Sequence, residues 1–202
     1  MNRPTHWLLG ALFALFATAP ALAAPIVYNL SFAPEASGAT GTGTGTVTFD
    51  TSAFTMLIDL QFSGLSGNTT ASHIHCCTAV PGTGTTIVAT RLPTFTDFPL
   101  GVKSGTYDYT YDMLAAGSWN SAFVTNQGGT PTSAWAALLA GAADGRAYLN
   151  IHTTTFPGGE IRSFLKPAPT SVPEPATLSL LALGLFGLRF ARRKGTTAPL
   201  RI

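Results

Sequence analysis

Charge is scarce in this chain: of 202 residues only 11 are Lys or Arg and 9 are Asp or Glu. Such a chain has no phosphate-neutralising stripe, which argues against nucleic acid as a partner. Cysteine is almost absent as well; the only two, Cys76 and Cys77, are adjacent, so there is no framework of several disulfides. No Gly-x-Ser-x-Gly elbow occurs and no carboxylate pair stands out, leaving serine hydrolysis and two-carboxylate glycoside cleavage without machinery. The Gly38–Thr46 run, Gly and Thr throughout but for Ala39, lacks the Lys and the following helix pattern of a phosphate loop, and reads as a flexible loop leading into a strand. A Cys76–His nucleophile would need a thiol kept reduced. No residue is assigned a catalytic role, and the expectation is a protein that binds rather than turns over.

The charge that is present is unevenly placed. Between Ala24 and Pro173 stand the five bases Arg91, Lys103, Arg146, Arg162 and Lys166 against eight acids, whereas Arg3, Arg189, Arg192, Arg193, Lys194 and Arg201 lie at the two ends. The formal net charge of +2 thus belongs to the termini, and the body is mildly acidic.

Both ends read as addresses. Near the C-terminus a linker rich in Pro, Ser and Thr, residues 167–175, closes on Val172, Pro173, Glu174 and Pro175, followed by thirteen uncharged residues from Ala176 to Leu188. As a helix that run is about 20 Å long against a hydrocarbon core of about 30 Å, and it lacks a polar face. The basic stop Arg189, Arg192, Arg193 and Lys194 should remain cytoplasmic, with residues 195–202 as a short tail, and the body on the other side. The motif, the apolar helix (176–194 with its basic stop) and the cluster resemble the PEP-CTERM sorting signal of Gram-negative bacteria, which implies recognition and cleavage by a membrane-embedded exosortase. At the N-terminus, Arg3, the apolar stretch Trp7 to Ala19 and the small residues Ala21 and Ala23 around Leu22 have the layout of a secretory signal peptide over residues 1–23. The Sec translocon and signal peptidase are the expected partners at that end, with the mature chain starting at Ala24.

The intervening residues 24–166 suffice for one domain. Phe54, Met56, Ile58, Leu60 and Phe62 share one parity, and Tyr107, Tyr109 and Tyr111 alternate with Asp108, Thr110 and Asp112, the period of half-buried strands. Further strands are expected at 26–32, 45–50, 72–76, 86–90, 119–124, 146–152 and 160–165. One helix is expected through Ala134 to Ala140, capped by Thr132 or Ser133, with Gly141 or Gly145 near its end.

His6 leaves with the signal peptide, so the mature chain has three histidines, His73, His75 and His152. His73 and His75 fall on one face of a strand, a geometry that chelates Cu or Zn, and Cys76 and Cys77 follow directly. Tyr148, Asn150 and His152 share the face of a second strand, and Phe156-Pro157-Gly158-Gly159 reads as the turn of a hairpin whose return strand carries Glu160 and Arg162. Two interpretations stand for the histidines: a Cu or Zn site, or a hydrogen-bonded polar cluster with Asn150, Glu160 and Arg162. Glu160 and Arg162 read as a surface or strand-pair charge element. For Cys76 and Cys77 three remain: a vicinal disulfide, intermolecular disulfides, or thiolate ligands.

Ser72-His73-Ile74-His75, Tyr148 to Thr153 and Gly158-Gly159-Glu160-Ile161-Arg162 together resemble the CHRD domain, named for its occurrence in chordin. The resemblance covers residues 26–166 and implies an all-β fold, an immunoglobulin-like or superoxide-dismutase-like β-sandwich with one short helix, and a domain without assigned catalysis. Dinuclear Cu/Zn dismutase chemistry is excluded by counting, because three histidines are too few. The combined expectation is an exported binding protein of the Gram-negative cell surface or extracellular matrix. It would pass through an inner-membrane-tethered precursor, with exopolysaccharide or a surface protein as candidate ligands, and with no cofactor apart from the candidate Cu or Zn.

Overall fold

The computed structural model describes residues 23–169 and residue 185. Ala21, the sorting motif at 172–175, the apolar run and the basic stop lie outside the described residues, as do all but the last residue of the leader and the whole of the transmembrane sorting helix save Leu185. Ala23 is exposed and irregular. Among the described residues no helix is long and apolar enough to cross a membrane.

Eight strands, β1 (Ile26–Pro34), β2 (Thr42–Asp50), β3 (Thr55–Ser63), β4 (Thr69–His75), β5 (Gly105–Asp112), β6 (Tyr148–Thr153), β7 (Ile161–Phe164) and β8 (Lys166–Pro167), form one antiparallel sheet. Its order is β4-β6-β7-β1-β2-β3-β5, with β8 also paired to β1. The sheet turns at β1, whose residues Ile26–Phe32 face β2 while Ala33 and Pro34 face β7. It curls into a half-barrel around one core. The expected alternation is what fills that core: Met56, Ile58, Leu60 and Phe62 from β3, Tyr107 and Tyr111 from β5, and Ile74, Leu149 and Ile151 from β4 and β6 all point inward.

Part of the Gly/Thr run is strand, not loop. Gly43 and Gly45 lie inside β2, where Gly43 sits between Phe32 and Phe62, and Gly45 between Leu30 and Leu60. A Cβ at Gly45 would meet the Asp59 carbonyl oxygen and Leu60, and one at Gly43 would meet the Gln61 carbonyl oxygen and Phe32. Bare backbone at these positions leaves room for the large side chains and the carbonyls of the adjoining strands. Gly45→Val is expected to cost about 3 kcal/mol through this overpacking, a fall of about 10 °C in thermal midpoint. Gly117→Ala, where a Cβ meets nothing within 4 Å, should stay within about 0.5 kcal/mol. Equal midpoints for the two variants would refute the role given to Gly45.

The expected strand at 119–124 is replaced by helix α1 (Ser121–Asn126), preceded by a 3-10 turn at Ala116–Ser118. Asn120 caps α1 by accepting the Ala122 amide at 3.1 Å, and Trp119 and Phe123, four residues apart, stack with centroids 6.1 Å apart. Their spacing serves a helix face as well as a strand face, and the cap decides between them. Residues 86–90 likewise make no full strand; Val88 bridges His75 and Thr90 bridges Trp119.

The anticipated helix is α2 (Pro131–Ala143), capped by Thr130 rather than Thr132 or Ser133, because Ser133 completes a reciprocal capping box with Thr130. Trp135 of α2 meets Phe49 edge-on at 5.2 Å. Gly141 does not end the helix: a Cβ there would strike both cysteine sulfurs, so its bareness admits Cys76 and Cys77 against α2. Gly145, with φ of 68°, follows the C-cap in the left-handed conformation that ends many helices.

Candidate metal centre

Strands β4 and β6 pair so that Ala71 stands opposite His152, His73 opposite Asn150 and His75 opposite Tyr148. Because alternate residues share a face, the three histidines, Asn150 and Tyr148 come to one patch, with Ile74, Leu149 and Ile151 turned to the core. His73 and His75 are buried and His152 half-buried. Ala71 opposite His152 offers only a methyl group, and the His152 ring lies diagonally against His73, with centroids 5.2 Å apart.

Each imidazole is held from behind by a backbone carbonyl. His73 Nε2 lies 2.5 Å from the Pro93 oxygen, His75 Nδ1 2.8 Å from that of Thr86, and His152 Nδ1 2.9 Å from that of Pro157. A carbonyl only accepts, so the nitrogen facing it carries the proton, and in the neutral ring the other nitrogen carries a lone pair. Those other atoms are His73 Nδ1, His75 Nε2 and His152 Nε2. All three are buried without a hydrogen-bond partner, and one ligand nitrogen from each ring lies within 4.8 Å of the others.

Burial lowers the His73 pKa to about 4, against the opposing pull of the Pro93 carbonyl and with help from the neighbouring His152 and His75. His75 is also lowered, first by burial. Both rings therefore stay neutral and ligand-competent at neutral pH. The unfolded chain protonates these rings near pH 6.5 while the folded one resists, so between about pH 6.5 and 4 the unfolded state binds more protons. Stability should fall as pH drops through that window, by about 3 kcal/mol from His73 alone. Urea melts of the metal-free protein at pH 7 and pH 4.5 check this, and a His73→Gln variant should lose part of the difference.

Glu160 is not a surface charge and does not pair with Arg162. It is fully buried, accepts the Thr153 hydroxyl at 2.6 Å and the Ser66 amide at 2.5 Å, and lies 3.4 Å from the Gly67 amide. Burial alone would raise its pKa, but these donors outweigh it and hold the carboxyl below its ordinary value. The reason is the chain path: Gly159, with φ of 125°, turns Glu160 inward before β7 begins. Arg162 instead reaches Glu35 at 3.4 Å, and its guanidinium lies 5.4 Å from the centre of the Tyr148 ring, which itself stacks on His75 at 4.7 Å.

Cys76 and Cys77 are joined to each other in a vicinal disulfide and rest on α2, with both sulfurs near the Ala137 carbonyl. The converging ligand set contains the histidines and neither cysteine. What the sequence did not expose is the backing: the Thr86 and Pro93 carbonyls come from a segment with no motif, and Glu35 comes from the bend that follows β1. Only Pro157, in the visible hairpin turn, was foreshadowed.

A family model of the CHRD domain matches residues 27–165, and a model of the PEP-CTERM protein-sorting motif matches residues 171–194. No curated protein matches the chain, and no solved structure does.

Proposed function

Given that the chain belongs to the CHRD domain family and carries a PEP-CTERM sorting motif, and so is an exosortase-recognised, exported precursor of Gram-negative type, we propose that its domain holds a copper or zinc ion through His73, His75 and His152. Two observations carry this: the three rings bring a ligand nitrogen each within 4.8 Å of the others, and each ring keeps one buried nitrogen without a hydrogen-bond partner. Neutral imidazole suits both ions, and carbonyls bonded to the far nitrogen of each ring, which fix its tautomer, are the usual support of metal-binding histidine. An ion with bonds of about 2.1 Å in tetrahedral geometry sets its ligand nitrogens about 3.4 Å apart, a modest closing of the present spacing. The domain acts by binding, not turnover, and is delivered to the cell surface or matrix.

Isothermal titration of the metal-stripped protein with Zn(II), and with Cu(II), tests the binding. One equivalent taken up per chain, with release of few protons at pH 7, supports it; no uptake of either ion defeats it. The sorting half is separate: replacing Pro173, Glu174 and Pro175 by alanine should abolish C-terminal processing in cells that contain an exosortase, and unchanged processing would remove it.

A further inference from the structure

Asn150 lies opposite His73 in the β4–β6 register and is 1% exposed. Its amide nitrogen faces the Glu35 carboxylate at 3.3 Å. A carboxylate accepts, so the nitrogen must be on that side and the oxygen on the other. Asn150 Oδ1 is then, like one nitrogen of each histidine, a buried acceptor that no donor meets; it stands opposite His73 on the strand pair, and its side chain reaches toward His75. Gly159 makes the arrangement possible, since a Cβ there would collide with Glu35 and press on the Asn150 amide.

Four acceptors and no donor is an informative count. One water offers two protons and would leave two of the four unsatisfied, each at a cost of about 1–3 kcal/mol. A single cation answers all of them. Resting on the metal reading above, we infer that Asn150 Oδ1 is the fourth ligand, closing an N3O coordination sphere around the ion. Closed four-coordinate sites are the structural kind, in contrast to catalytic sites that keep one position open. The ion is thus shielded from exogenous anions, and the Glu35 carboxylate, itself paired with Arg162, is the positioning residue that aims the amide.

The test uses the full chain in detergent, loaded with Co(II) as a spectroscopic stand-in for zinc, and challenged with azide. Wild type should show tetrahedral visible bands that azide does not shift. Asn150→Ala should bind Co(II) about 10–100-fold more weakly, and azide should now shift its bands by entering the vacated position. Should that variant fold poorly, Glu35→Gln combined with Asn150→Asp supplies an anionic oxygen at the same place and a neutral partner for it. That pair should bind more tightly than wild type, because a carboxylate oxygen is an established ligand for such ions and carries the charge the amide lacks, an outcome a merely structural asparagine would not give. An azide shift in wild type, or Asn150→Ala with unchanged affinity and spectrum, overturns the inference while leaving the three-histidine site intact; no cobalt, zinc or copper uptake by wild type removes both.

Discussion

Replacing His152 by alanine is expected to lower the affinity of the protein for Zn(II) or Cu(II) by about 100-fold or more, the upper end of what even an outer-shell change costs. Among the three proposed ligands His152 is the most informative to remove. It is half-buried, whereas His73 and His75 are buried, and its ring is tied down by one bond, from Nδ1 to the Pro157 carbonyl at 2.9 Å. Its loss should therefore change the metal-free melting temperature little. Its effect on the metal-bound form should be large, because an ion at 1,000 times its dissociation constant adds about 4 kcal/mol to folding and most of that would disappear. The two readouts, melting with and without metal, separate a ligand from a packing residue. A hydrogen-bonded polar cluster would show the same small change in both.

Glu160→Ala should be the most damaging substitution away from the histidines. The carboxylate gathers the Ser66 and Gly67 amides, which belong to the loop between β3 and β4, and the Thr153 hydroxyl at the end of β6. Removing it leaves three donors without that acceptor, those of Gly67 and Thr153 buried and that of Ser66 half-buried, where each bond to a charged group is worth about 1.5–3 kcal/mol. A loss of about 4 kcal/mol, a fall of roughly 10–15 °C in thermal midpoint, is expected. Glu160→Gln retains one acceptor oxygen and should lose less. Because the pKa of the carboxyl is depressed in the folded state, its contribution is complete above about pH 4.5 and fades as pH falls further; the penalty for Glu160→Ala should shrink accordingly in acid. A midpoint within 3 °C of wild type at pH 7 would show that the loop is held by other means.

How far such features can be read from the chain depends on the range of the interactions that make them. The parity of His73 and His75, and of Tyr148, Asn150 and His152, is local and survives folding, so both histidine-bearing faces were legible. That β4 and β6 are neighbours is a pairing across more than seventy residues, and only resemblance, not periodicity, brought the two motifs together. The Trp119–Phe123 segment misled because the spacing of its two aromatics fits a strand face as well as a helix face, while the deciding signal was the Asn120 cap. In the Gly/Thr run, composition suggested flexibility; the opposite holds at Gly43 and Gly45, whose bareness is demanded by Phe32, Leu60 and Phe62 from the adjoining strands. Glu160 was misplaced for a similar reason, since a charged residue after two glycines looks exposed until the turn at Gly159 aims it into the loop before β4.

Anomalous diffraction at the zinc or copper edge, from crystals of the protein grown with that ion, addresses the central claim most directly. The account predicts a single strong peak about 2 Å from His73 Nδ1, His75 Nε2 and His152 Nε2, with the opposite nitrogen of each ring still bonded to the Pro93, Thr86 and Pro157 carbonyls. No peak between the three rings, or an ion bound only through the carbonyl-facing nitrogens, would contradict it.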